Sequence, residues 1–82
     1  MNVSSLIVNA RDGQVADVQA LLTQQPGVEI HAASPEGKLI VTIETESDRE
    51  TVAAFERITQ TDGVLSAAMV YHQIETETDQ EI

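Results

Sequence analysis

The two histidines, His31 and His72, carry the side chains best suited to acid–base chemistry or metal binding near neutral pH. A metal site built on them would need carboxylates at a recognised ligand spacing, and the sequence has none there. We therefore expect no metal site. We interpret both histidines as amphipathic side chains on the protein surface.

Nucleophilic and phosphate chemistry find little support in the sequence. Ser4 and Ser5 begin an apolar run without the elbow motif that activates a serine, and no glycine-rich phosphate loop is present. Asn9 and Arg11 are the residue types that a small acylphosphatase uses, but no phosphate-cradling loop accompanies them. The chain has no cysteine, which excludes thiol catalysis and disulfides. We expect neither enzyme activity nor a cofactor.

The charge balance points to a different kind of partner. The 82 residues include 14 acidic and four basic ones, for a net charge of −10. Nucleic acid is a poor partner because phosphate binding needs clustered Lys and Arg. A basic peptide fits better, although acidity can also simply keep a small domain soluble. No apolar run is long enough to cross a bilayer, so we expect a cytoplasmic protein that does not bind membranes. We also expect it to be a monomer.

Four short segments have the pattern of β-strands. Residues 28–32 and 39–43 alternate between apolar and polar side chains, and the turn at 34–37 joins them as a hairpin. Residues 4–10 and 64–71 form two further runs rich in apolar and β-branched side chains. The sequence therefore predicts a central hairpin with one strand on either side of it along the chain.

Two segments between these strands repeat apolar residues at helical spacing. Asp12 could cap the first helix, and Ser47 with Glu50 fits a capping box at the start of the second. The apolar positions are Val15, Val18, Leu21 and Leu22 in the first helix and Val52, Phe55 and Ile58 in the second.

The order strand, helix, strand, strand, helix, strand is a weak repeat of two βαβ units. It predicts an α+β, ferredoxin-like βαββαβ fold, with a four-stranded antiparallel sheet and two helices on one face. We assign residues 1–74 to one domain and expect the acidic tail, 75–82, to be disordered. The second face of the sheet then has no cover from within the domain and is available for binding.

Alternation along each strand predicts which side chains lie on this uncovered face. In the last strand, residue volume favours placing Met69 and Tyr71 inward, with a bulge after Val64 that resets the alternation. With that bulge, the predicted binding residues are Ile7, Asn9, His31, Ile40, Thr42, Ala68, Val70 and His72. Glu29 is expected to share the same face.

The sequence resembles the NapD family, the small cytoplasmic chaperones of the periplasmic nitrate reductase. The resemblance covers roughly residues 4–75 and rests on SSLIVNA at 4–10, QPGVE at 25–29, GKLIVTIE at 37–44 and DGVLSAAMVYHQ at 62–73. No single motif is diagnostic, but these four occur in the family's order.

The resemblance implies a ferredoxin-like fold and a binding role without catalysis or a cofactor. NapD-like proteins bind the twin-arginine (Tat) signal peptide of the nitrate reductase catalytic subunit, and delay its export until the molybdenum cofactor is inserted. Two alternatives share this topology. An ACT-like domain would sense a small molecule at the turns, where Asp12 and Gly13 offer a weak candidate site. A metallochaperone would need the Cys-x-x-Cys motif that is missing here.

Overall fold

The computed structural model describes residues 1–74, with side chains through Tyr71. Six elements follow one another in the predicted order: β1 (Asn2–Ala10), α1 (Val15–Thr23), β2 (Val28–Ala33), β3 (Lys38–Thr45), α2 (Asp48–Thr59) and β4 (Val64–Ile74). The acidic tail predicted for residues 75–82 lies outside the described residues.

The four strands form one antiparallel sheet in the order β2-β3-β1-β4. The hairpin pairs β2 with β3, while β1 lies between β3 and β4, so each βα unit crosses over a neighbouring strand before it returns to the sheet. This arrangement confirms the predicted ferredoxin-like fold. Strands β2 and β4 are the two edges of the sheet.

One face of the sheet forms the hydrophobic core with the helices. Alternate side chains of β1 and β3 are buried, and the intervening ones are half-buried or exposed. The core members from all the elements form a single cluster, which comprises Leu6, Val8, Ala10, Val18, Leu22, Leu39, Val41, Ile43, Ala54 and Ile58. Because both helices contribute to the same cluster, both pack on the same face of the sheet.

Helix α1 packs through a narrower apolar stripe than its sequence suggests. Val18 and Leu22 are fully buried, but Leu21 is exposed, so the prediction that Leu21 faces the core is wrong. Leu21 lies about 100° round the helix from Leu22, which places it at the margin of the buried stripe. Asp12 does not cap this helix either: the residue before it is Gln14, which makes no side-chain capping bond.

Helix α2 begins at the predicted capping box. The backbone N–H of Glu50 donates to Ser47 Oγ over 3.2 Å, and Glu50 Oε1 accepts from the N–H of Glu46 over 3.0 Å. The helix turns Thr51, Ala54 and Ile58 inward. Val52 is instead exposed, which corrects its predicted core position.

The two helices end at corresponding turns that contact each other. Gln25 follows α1 and Thr61 follows α2, and Gln25 Nε2 donates to Thr61 Oγ1 over 2.9 Å. Gly27 then turns the chain into β2 with a φ of +75°. A side chain at Gly27 would collide with the carbonyl oxygen of Glu44, so this approach of the backbone to β3 requires glycine.

Candidate functional site

The second face of the sheet, hereafter the open face, has no helix packed on it among the described residues 1–74. Its central strands bring together side chains that the sequence placed there. In the β1–β3 register Ile7 lies opposite Ile40, and Ser5 lies opposite Thr42. Ile40 is 41% exposed although it sits at the centre of a strand whose inward neighbours are fully buried.

An apolar row crosses the open face from one edge of the sheet to the other. Ala32 on β2 lies opposite Ile40, Ile40 lies opposite Ile7, and Ile7 lies opposite Ala68 on β4. The two alanines at the ends of this apolar row are exposed. With small side chains at its ends and isoleucines in its middle, the apolar row forms a shallow surface that a bulky apolar segment can contact.

Polar side chains occupy the next row, toward the end of β3. His31 Nε2 lies 2.8 Å from Thr42 Oγ1 and 3.7 Å from Glu29 Oε1. His31 is an extra residue in β2, because the pairing with β3 passes directly from Ile30 to Ala32. This bulge explains why Ala32, which simple alternation would turn inward, pairs with a residue of the open face.

A second polar row lies on the other side of the apolar row. Asn9 Nδ2 donates to Ser66 Oγ over 3.0 Å, and Lys38 lies opposite Asn9 on β3. The apolar row is thus bordered on both sides by groups that form hydrogen bonds.

Strand β4 departs from the predicted alternation. The bulge after Val64 is present, with Leu65 as the extra residue. A second bulge follows, at Val70, and it puts Tyr71 opposite Ser5. The prediction that Tyr71 faces inward is therefore wrong: its side chain is 56% exposed, and Ser5 belongs to the open face.

The second bulge also changes the position of the last predicted binding residues. His72 pairs with Ser4, a buried residue on the helix side, rather than with a residue of the open face. The side chain of His72 lies outside the described ones, so the assignment of His72 to the open face stays a prediction. Val70, the extra residue itself, is 58% exposed and is paired with no residue of β1. Sequence reasoning missed this bulge because no glycine or proline marks it.

Other features of the described residues give weaker evidence for a functional site. No cluster of three or more His, Asp or Glu in this part of the chain could hold a metal ion. One groove of about 310 Å³ lies on the helix side, against Glu50 and Arg57, and another of about 390 Å³ lies beside Asp17 and Asp62. The Asp12–Gly13 turn is exposed. None of the described helices is long and apolar enough to cross a membrane.

Comparison with known proteins places this chain in a family. A family model described as "NapD protein" matches residues 1–76. Curated relatives named Chaperone NapD include one from Escherichia coli K12, 33% identical over 95% of this chain and 91% of its own length. Another, from Paracoccus pantotrophus, is 34% identical over 90% of this chain and 65% of its own length.

Solved structures agree with this comparison. The solution structure titled as the E. coli Tat proofreading chaperone NapD superposes with a TM-score of 0.81 at 34% identity, covering 92% of this chain and 80% of that one. A hypothetical protein from Pyrococcus horikoshii, at 18% identity over 98% of both chains, also gives 0.81 and shares the fold alone. The sequence match over nearly the whole chain, joined to the common fold, shows that this chain belongs to the NapD family of chaperones.

Proposed function

We propose that this protein is a cytoplasmic chaperone that binds the Tat signal peptide of the periplasmic nitrate reductase catalytic subunit. Binding delays export of the precursor until the molybdenum cofactor is inserted. Family membership supports the chaperone role, and the E. coli relative is itself described as a Tat proofreading chaperone. The open face is the surface that we assign to the peptide.

The observation that carries this assignment is the exposed apolar row at the centre of the sheet. Ile40 is 41% exposed at a position where a strand of a small domain would ordinarily carry a polar residue. Signal peptides contain an apolar segment of about 7–15 residues. Packing that segment against Ile40, Ile7 and Ala68 would remove apolar surface from water on both partners.

The charge of the protein supports the same partner. A Tat signal peptide carries its two arginines next to the apolar segment. The net charge of −10 attracts such a peptide and speeds their encounter. Apolar contact then holds the complex after the charges have brought the partners together.

Such binding explains holdback without any catalytic step. A signal peptide whose apolar segment is covered cannot engage the export machinery at the same time. The covered fraction depends on the concentrations of the protein and the translocase and on their relative affinities for the peptide. The chaperone therefore needs modest affinity and reversible release, which a shallow apolar face provides better than a deep pocket.

Isothermal titration of the full chain with the synthetic signal peptide tests the proposal. We expect a dissociation constant of about 1 µM or below, which corresponds to about −8 kcal/mol. A peptide with both arginines replaced by glutamine should bind several-fold more weakly, and the difference should shrink as salt is raised.

A peptide of the same length with two serines in its apolar segment provides the second control. It should also bind more weakly, but its loss should not depend on salt. Absence of heat and of any fluorescence change with the native peptide would refute the proposed function. Equal binding of the native and glutamine peptides would remove the electrostatic part of the argument.

A further inference from the structure

Ionised side chains are confined to one half of the sheet. Strands β1 and β4 contain no Asp, Glu, Lys or Arg. Those in the other two strands are Glu29 on β2 and Lys38 and Glu44 on β3. Glu29 pairs with Thr42, Lys38 with Asn9, and Glu44 with Val3. These partners belong to the open face, so all three ionised residues lie there too. The open face thus has a charged half and an uncharged half.

The charged half is itself divided along the strands. Glu29 lies opposite Thr42, two residues from Glu44, so Glu29 and Glu44 are diagonal neighbours whose backbones are about 7 Å apart. They line one groove of about 270 Å³ together with Gly27 and Val28. Lys38 is six residues before Glu44, or about 20 Å along β3. Arginines are therefore attracted to the Glu29–Glu44 corner and repelled from the Lys38 end.

The uncharged half carries the exposed apolar side chains. Ile7 and Ala68 lead from Ile40 across the sheet to β4, where Val70 and Tyr71 are more than half exposed. The distance from β2 to β4 is three strand spacings, about 14 Å. A peptide bound as a helix would need about ten residues to span the same distance, and this number matches the length of a signal-peptide apolar segment.

We propose, on the basis of the function proposed above, that the peptide crosses the open face in one direction. Its arginines bind at the Glu29–Glu44 corner beside β2, and its apolar segment runs over Ile40 and Ile7 to end at β4. Glu29 and Glu44 thereby become specificity-determining residues for the basic part of the peptide. A peptide in the reverse direction would place its arginines over the uncharged strand β4 and leave both carboxylates unpaired.

Site-directed spin labels test the direction, since the chain contains no cysteine that would compete for the label. Ala32→Cys on β2 and Ala68→Cys on β4 are both exposed and mark the two ends of the same apolar row. With isotope-labelled peptide, we expect the label at 32 to broaden the resonances around the arginines. The label at 68 should broaden those at the far end of the apolar segment.

The opposite pattern, or equal broadening of both peptide ends by both labels, would overturn the proposed direction while leaving the proposed function intact. Failure of the unlabelled protein to bind the peptide in titration would refute the function and, with it, the direction. The two kinds of failure are thus told apart by whether the peptide binds at all.

Charge-neutralising variants test the specificity residues. The double variant Glu29→Gln, Glu44→Gln should weaken binding of the native peptide about tenfold and leave binding of the glutamine-substituted peptide unchanged. Glu36→Gln, Glu56→Gln is the matched control, because it removes the same charge from exposed positions away from the corner. Equal losses in the two double variants would show that only net charge matters and would overturn the role of Glu29 and Glu44.

Discussion

The two faces of the sheet are made from alternate residues of the same strands, yet they serve different purposes. On β3, Leu39, Val41 and Ile43 are fully buried under the helices, whereas Ile40 between them is 41% exposed. Side-chain type does not separate Ile40 from its neighbours, since leucine, valine and isoleucine are all apolar. What separates them is the presence of helices on one side only. An apolar residue on the other side is consequently available to a partner.

The largest effect expected from this comparison is on stability. Leu39→Ala should lower the free energy of unfolding by about 2–5 kcal/mol, because it leaves a cavity beneath the helices. The adjacent variant Ile40→Ala removes a similar side chain from the open face and should cost less than about 1.5 kcal/mol. Urea denaturation of both variants measures the contrast. A larger cost at residue 40 than at residue 39 would mean that the strand's register is displaced by one residue.

The second effect appears in binding instead of folding. Ile40→Asp should weaken binding of the signal peptide at least tenfold, or by about 1.4 kcal/mol, because a carboxylate would have to lose water against the apolar segment. Val52→Asp makes the same change at an exposed residue of α2, on the helix side, and should leave binding nearly unchanged. Titration and thermal melts of both variants give the result. Equal weakening by the two would contradict the open face as the binding surface.

The last contrast involves two asparagines on β1, and one of them gives the smallest effect expected. Asn2 is buried on the helix side, where its Nδ2 donates to Asp48 Oδ1 over 2.8 Å. Asn9 makes an exposed bond to Ser66 on the open face. Asn2→Ala should cost about 1.5 kcal/mol because its bond is to a charged group, and Asn9→Ala less than about 0.5 kcal/mol. Similar midpoints in urea for the two variants would show that the sheet's faces do not differ in this way.

Much of this architecture could be predicted from the sequence, because strand alternation and helix caps are local signals. The hairpin, the capping box at Ser47 and the bulge after Val64 all followed from a few neighbouring residues. Which side of each helix faces the sheet was harder to predict from the sequence. Leu21 and Val52 fit the apolar spacing, but how each helix rotates against the sheet depends on contacts with residues distant in sequence.

The candidate site was predicted less completely than the fold. The facing of β1 and β3 followed from alternation, since those strands pair without interruption. The extra residues His31 and Val70 then altered which side chains share the open face on the edge strands, bringing in Ala32 and Tyr71. Neither of these two bulges is marked by a glycine or proline, and both depend on pairing with the neighbouring strand, so the sequence of the strand alone did not reveal them.

The two bulges in β4 also bear on how the protein avoids aggregation. An eleven-residue edge strand without any charged residue exposes backbone groups to which a strand of another molecule could pair. Leu65 and Val70 interrupt the strand at two places, so its regularly paired stretches, 66–69 and 71–74, are only four residues long each. An incoming strand would lose its register after a few residues. Local irregularity thus takes the protective role that lysine or proline has on other sheet edges, and the apolar surface stays free for its partner.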